Sequence, residues 1–342
     1  MSTRYGRRRV SSMRLAGIEV IVRRQLLALV ALASLSACVN DDDKSSGAIG
    51  VGVCASTPPA GVTETTLTAG GATHSVRIFI PSLAVGAGML PTVLNWHGNG
   101  GNGTDHAAYT EYEALAEKEG FIVVHPTGIE SADLPVFGAA TGWELVDDLD
   151  SPSRDDVAFA NALIDELVAN WCADTNRVYS IGMSNGGLFT STLICEMADR
   201  LAGAASVAGV YHPDSCAPSR PVPYLAFHAI DDVVVPFVTG GETLFPELND
   251  SVFALGSFDA FAAFAAGFGC DPEPSATAIG VATTRYDYAN CDGGIPMTFY
   301  ATDSPGDGHS WPGTSMLGLT TDDIDATLDS WRFFEPLSLD HL

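Results

Sequence analysis

One serine stands in a context that could make it a nucleophile. The segment Arg177 to Thr190 is apolar up to Ile181, turns through Gly182-Met183-Ser184-Asn185-Gly186, and continues as a helical pattern from about Gly187. A G-x-S-x-G turn set between a strand and a helix lifts its serine hydroxyl above the sheet, because the glycines let the backbone turn sharply without side-chain clashes. Taken alone the five-residue pattern is common and would be an ordinary turn serine. Its flanks make Ser184 a candidate for covalent acyl chemistry.

A serine hydroxyl is a weak nucleophile at neutral pH, so it needs a base within hydrogen-bond reach and an acid to orient that base. Of the eight histidines, His309 fits best. It lies downstream in the loop-like Gly306-Asp307-Gly308-His309-Ser310-Trp311-Pro312-Gly313, after an expected strand from Met297 to Tyr300. The acid should follow a strand between serine and histidine. Tyr224 to His228 supplies the strand and Asp231-Asp232-Val233-Val234-Val235-Pro236 follows it; Asp232 is preferred over Asp231, and Asp307 sits too near His309 in sequence to pair with it comfortably. A tetrahedral intermediate also needs preorganised N–H donors for its oxyanion. The backbone N–H of Asn185 is one expected donor, and the N–H of Asn99, in the loop His97-Gly98-Asn99-Gly100-Gly101-Asn102-Gly103, is the other. That glycine-rich loop lacks the lysine and the Ser/Thr of a phosphate cradle.

These residues need a scaffold that brings them to one place. Val76 to Ile80, Thr92 to Trp96, Phe121 to Val124, Arg177 to Ile181 and Tyr224 to His228 read as strands, and Tyr109 to Glu119, Asp155 to Trp171 and Leu188 to Ala198 carry apolar residues at helical spacing. Strand-then-helix alternation predicts right-handed crossovers and a mostly parallel sheet covered on both faces, with function at the carboxyl ends of its strands. From Val233 to Ala266 the rhythm breaks; an Ala/Phe-rich stretch, Phe258 to Phe268, reads as a helix that could be a lid or an irregular connection.

In combination, His97 to Gly103, Asp155-Asp156-Val157, Arg177-Val178-Tyr179 into Gly182-Met183-Ser184-Asn185-Gly186-Gly187, and Gly308-His309-Ser310-Trp311-Pro312-Gly313 resemble the secreted esterases that include poly(3-hydroxybutyrate) depolymerases and the feruloyl and acetylxylan esterases of carbohydrate esterase family one. The resemblance runs from about residue 60 to 335. It implies an α/β-hydrolase fold with Ser184, Asp232 and His309 as the triad. The chain departs at the acid loop, where His228-Ala229-Ile230 stands in place of His-Gly-Thr. The Trp-Pro after His309 resembles the feruloyl-esterase side, and no linker or polymer-binding module follows residue 342; both tilt the expected substrate toward soluble or polysaccharide-linked esters.

Residues 1–38 carry seven arginines and one acid, with an apolar run from Leu26 to Leu35. A run of about ten residues is half of the roughly 20 that span a bilayer, so an export signal is expected rather than a transmembrane anchor. Leu35-Ser36-Ala37-Cys38 resembles a bacterial lipobox and predicts lipidation of Cys38. Residues 39–53 read as a polar tether and 54–342 as one catalytic domain. The full chain has a formal net charge of −26, and without the leader it would stand near −32. So acidic a protein is a poor partner for nucleic acid or an anionic membrane surface, leaving a lipid on Cys38 as the route to a membrane.

Six further cysteines in an exported chain predict three disulfides. Proximity suggests Cys195–Cys216 and Cys270–Cys291, which leaves Cys54 for Cys172. No C-x-x-C spacing suggests zinc, and the acids Asp147, Asp148, Asp150, Asp155 and Asp156 lack the spacing of a calcium loop, so no metal or organic cofactor is expected. The expected partner is an ester substrate. Trp143 and Trp311 are candidates to stack on an aromatic acyl group or a sugar face, with core packing as the alternative. Transfer of the acyl group to a sugar, and a non-catalytic binding role on a hydrolase scaffold, are the competing readings.

Overall fold

The computed structural model describes residues 58–84, 88–131, 140–145, 154–303, 308–314 and 321–342. The expected leader, Cys38, the tether and Cys54 lie outside the described residues, as do Asp147, Asp148, Asp150 and Asp307. In chain order the strands are β1 (Gly61–Ala69), β2 (Ala72–Ile80), β3 (Leu90–Trp96), β4 (Ile122–Pro126), β5 (Ile129–Ser131), β6 (Ala140–Gly142), β7 (Ala173–Met183), β8 (Gly203–Val207), β9 (Tyr224–Ala229), β10 (Ser275–Ile279), β11 (Thr283–Tyr288) and β12 (Met297–Thr302). The α-helices are α1 (Gly103–Thr110), α2 (Tyr112–Glu119), α3 (Asp156–Asn170), α4 (Asn185–Glu196), α5 (Ser257–Gly267) and α6 (Ala326–Phe334).

Among the described residues ten strands form one sheet in the order β1-β2-β4-β3-β7-β8-β9-β12-β11-β10, while β5 and β6 pair separately. The inner six, from β4 to β12, run parallel, and antiparallel hairpins close each edge. This is the α/β-hydrolase architecture. Because both faces of the inner strands are covered, their residues are apolar almost throughout and alternate between two cores. In β9, Tyr224 and Ala226 join the core under α3, α4 and α5, whereas Leu225 and Phe227 join the one under α2 and α6.

Register aligns the carboxyl ends of five adjacent strands. Trp96 pairs with Gly182, Met183 with Val207, Val207 with Phe227, and Ala229 with Thr302. The loops after β3, β7, β9 and β12 thus leave the sheet along one edge, and they carry His97 to Gly101, Ser184, Asp231-Asp232 and His309.

Several elements differ from the sequence expectation. The helix expected over Tyr109 to Glu119 is split, because Glu111 adopts a left-handed conformation (φ 55°) that ends α1 and begins α2. The Ala/Phe helix α5 is no lid: Ala260, Phe261, Phe264 and Ala265 are buried, with Phe261 against Tyr224 and Phe299. Strand β8, Gly-Ala-Ala-Ser-Val, has no apolar bulk to announce it, yet it is wholly buried. Its small residues let α4 and α6 approach, and a Cβ on Gly203 would stand 2.9 Å from Leu337 Cδ1.

Disulfides join Cys195 to Cys216 and Cys270 to Cys291. Cys172 is also disulfide-bonded, and its expected partner, Cys54, lies outside the described residues. No described helix is long and apolar enough to cross a membrane.

Candidate active site

The sharp turn at Ser184 follows from close packing of backbone on backbone. A Cβ on Gly182 would overlap the carbonyl of Gly186, and one on Gly186 would overlap the carbonyl oxygen of Trp96 at the end of β3. With both positions bare, α4 starts immediately after β7. Ser184 sits at the apex with φ 54° and ψ −124°, a conformation that costs a non-glycine residue on the order of 1–3 kcal/mol. Two bonds hold it there: Ser184 N–H donates to Val207 O at 2.9 Å, and Leu188 N–H donates to Ser184 O at 2.9 Å. Asn185 opens α4, where first-turn amides have no intrahelical acceptor and are available to an anion.

The glycine loop lies against this elbow. A Cβ on Gly98 would be 3.2 Å from Ser184 Cβ, a tight contact that the bare glycine spares the loop where it approaches the serine. His97 anchors the loop from beneath: its Nδ1 lies 2.6 Å from Gly98 O and its Nε2 accepts from Gly128 N–H at 2.9 Å. That pair of contacts requires the neutral Nδ1–H tautomer, and burial drives the His97 pKa down to about 4. Asn99 directs Oδ1 toward Gly142, while its Nδ2 is buried with no hydrogen-bond partner among the described residues.

His309 and Asp232 meet. The Nδ1–H of His309 donates to Asp232 Oδ2 at 2.8 Å, leaving Nε2 as the ring's acceptor. Asp232 is buried, and its Oδ1 accepts from Val234 N–H at 2.8 Å and Val235 N–H at 3.0 Å. Burial pushes its pKa up, but the His309 hydrogen bond, the nearby His228 and the Val235 amide outweigh it and hold the carboxyl below its usual range. Asp231 has a different task, accepting from Gly308 N–H at 3.0 Å and so tethering the histidine loop by its backbone. Among the described residues no hydrogen bond joins Ser184 Oγ to His309; the serine and the Asp232–His309 pair share the sheet edge.

This arrangement can support addition of a serine oxygen to a carbonyl, and the comparisons with known proteins point the same way. Residues 74–218 match the family model described as "Esterase PHB depolymerase". The chain is 28% identical over 328 residues to "Putative esterase NocK" of Nocardia uniformis subsp. tsuyamanensis, covering 86% of this chain and 90% of that one. It is also 28% identical over 229 residues to "Feruloyl esterase B" of Piromyces equi, covering 66% of this chain but 40% of the fungal one. An acetyl xylan esterase from Aspergillus awamori superposes with a TM-score of 0.52 at 15% identity, over 81% of this chain and 99% of that structure, a likeness of fold. The chain is an esterase of the α/β-hydrolase fold.

Two site expectations for this esterase need correction. Trp311 and Trp143 are 1% and 3% exposed, so neither has a face open to an acyl group or a sugar. Trp311 donates Nε1–H to Thr327 Oγ1 at 2.9 Å and packs edge-on to His106 and Tyr112. Trp143 donates Nε1–H to His97 O at 3.0 Å and stacks on Phe189. Both brace loops at the site from within the core.

Two further residues beside the candidate site, His228 and Asp156, gave no sign of their role in the sequence. His228, fully enclosed, lies with Nε2 3.0 Å from Val235 O and 3.5 Å from Asp232 Oδ2, beneath the acid loop. Its pKa is lowered by burial, against the pull of Asp232. Asp155 caps α3 by accepting from Ala158 N–H at 2.8 Å. Asp156 is buried and accepts from Arg154 and from Glu144 N–H at 2.8 Å. Asp155 is legible in the sequence as the start of a helix, whereas the burial of Asp156 and its pairing with Arg154 carry no local signal.

Proposed function

We propose that this esterase hydrolyses carboxylic esters linked to plant polysaccharide, of the feruloyl or acetylxylan type, with Ser184 as nucleophile, His309 as general base and Asp232 as the acid that orients it. Ser184 Oγ attacks the ester carbonyl while His309 Nε2 takes its proton; the same histidine then protonates the departing alcohol and later activates water to release the acid. Asp232 keeps the imidazole in its Nδ1–H form and stabilises the cation. The N–H groups of Asn185 and Asn99 receive the oxyanion. What supports the reading above all is the convergence at one sheet edge of the elbow, the adjoining Gly98 loop and the 2.8 Å Asp232–His309 pair. The similarity to the feruloyl esterase of Piromyces equi favours this substrate class.

A hydroxybutyrate polyester or oligomer is the second reading. It is favoured by the description of the matching family and by apolar side chains on and after the acid loop: Ile230, Val233 and Leu244 are 46%, 43% and 65% exposed. Export, with residues 1–38 as leader and a lipid on Cys38, belongs to the same proposal; the disulfides fit an oxidising compartment. Initial rates on methyl ferulate, acetylated xylan and a hydroxybutyrate oligomer decide between the substrates, and turnover of the oligomer alone overturns the ranking. Excess sugar in the same assay reveals acyl transfer by its product. A fluorophosphonate probe should label the wild type and spare S184A; equal labelling of both, or of neither, supports a non-catalytic binding protein.

A further inference from the structure

Four consecutive residues, Thr141 to Glu144, lie across the space between the glycine loop and the elbow, and each is tied to a different part of the site. Thr141 accepts from Gly100 N–H through its carbonyl at 2.7 Å and donates its hydroxyl to Gly101 O at 2.5 Å. Gly142 accepts from Arg154 at 3.0 Å. Trp143 is held on both its backbone groups by one side chain: its N–H donates to Asn185 Oδ1 at 2.7 Å and its carbonyl accepts from Asn185 Nδ2 at 3.0 Å. Glu144 N–H donates to Asp156 Oδ2. A Cβ on Gly142 would sit 3.0 Å from both Asn99 Oδ1 and Asn185 Oδ1, so this strap fits directly between the side chains of the two residues whose amides are assigned to the oxyanion.

The far side of the strap rests on charge. Arg154 and Asp156 pair at 3.0 Å with side chains 6% and 1% exposed. Arg154 also donates to Ile129 O at 3.2 Å, and His74 stands behind with Nε2 3.7 Å from Asp156 Oδ1. Burying an ion pair costs desolvation that its attraction barely repays, so such a pair is poor evidence for stability and calls for a positional explanation.

We propose that Arg154 and Asp156 are positioning residues for the oxyanion donors: through Gly142 and Glu144 they fix the strap, and the strap sets the spacing between the glycine loop and Asn185. Neither residue touches substrate. The proposal rests on the reading of Ser184 and its oxyanion given above. Because the donors matter more in the transition state than in the ground state, loosening them lowers kcat and leaves KM nearly unchanged.

The test uses the full chain with a 4-nitrophenyl ester. Asp156→Asn keeps the shape of the side chain and weakens its grip on Arg154; kcat is expected to fall about 10- to 100-fold, less than or equal to the loss of a whole donor, with KM within about threefold. Thr141→Val removes only the bond to Gly101 O at a partly exposed position, and is expected to lower kcat about three- to tenfold at unchanged KM. It decides the matter if D156N does not fold. Wild-type kcat in folded D156N and in T141V, or a loss carried by KM alone, overturns the positional role while an inactive S184A leaves the site reading intact. An S184A as active as the wild type overturns the site reading itself.

Discussion

At the scale of single residues, neighbouring carboxylates divide the work. Asp232 is enclosed, holds two amides on one oxygen and His309 on the other; Asp231 is exposed and holds the backbone of Gly308. Replacing Asp232 by alanine removes the partner of His309 Nδ1, and under the proposed triad kcat is expected to drop by about 10³- to 10⁴-fold with KM little changed. Asp231→Ala leaves the pair intact and frees one loop amide, so the expected loss is within about tenfold, and Asp231→Asn, which keeps an acceptor oxygen, should recover most of it. Steady-state kinetics of the three variants check this; an Asp231→Ala as damaged as Asp232→Ala would reverse the assignment. An acid after this strand was legible in the sequence, but the task of Asp231 was not, since it depends on a loop 77 residues away.

At the scale of elements, what could be read from the sequence was what carries local signal. The turn at Ser184 declares itself through its glycines, β3, β4, β7 and β9 through continuous apolar runs, and α3 through Asp155 at its start. Strand β8 stayed hidden because its environment selects small residues rather than β-branched ones, and β10, exposed along its length, has no core face to produce alternation. The strap Thr141 to Glu144 has no periodicity at all; its position is set by hydrogen bonds to residues on three other segments. The close approach of α4 to β3 gives a quantitative contrast. Gly186→Ala places a Cβ on the rigid Trp96 carbonyl, so α4 and Ser184 must move; a loss of more than about 2 kcal/mol and of nearly all activity is expected. Gly203→Ala meets the ends of Leu337 and Phe334 side chains, which can give, and should cost about 1 kcal/mol or less with activity retained. Urea unfolding and kcat of the two variants measure the difference, and equal effects would refute the packing account.

At the scale of the whole molecule, the parallel sheet encloses histidines that the sequence presents as eight equivalent residues. His97 and His125 are buried, and burial lowers their pKa values from 6.5 to about 4 and about 3; His106 is held well below 6.5 by burial, with His125 and His97 nearby. For each, the unfolded chain binds a proton that the folded one refuses, so folding is favoured above pH 6.5 and loses stability as the pH falls from 6.5 toward the depressed value. The slope is about 1.4 kcal/mol per pH unit for each histidine. Asp232 acts in the same direction lower down: its depressed pKa adds stability above the ordinary carboxylate range and loses it as the pH falls through the folded value. Asp156 acts the other way, because burial raises its pKa and its protonation relieves the fold as acid is added. Burial lowers His74, His212 and His228 as well, so six histidines against one opposing buried carboxylate leave a net acid-lability between pH 6.5 and about 4. Urea unfolding at pH 7, 6 and 5 should therefore show the free energy of unfolding falling by more than the share of one histidine per pH unit. A flat profile would mean that these rings reach solvent in the native state.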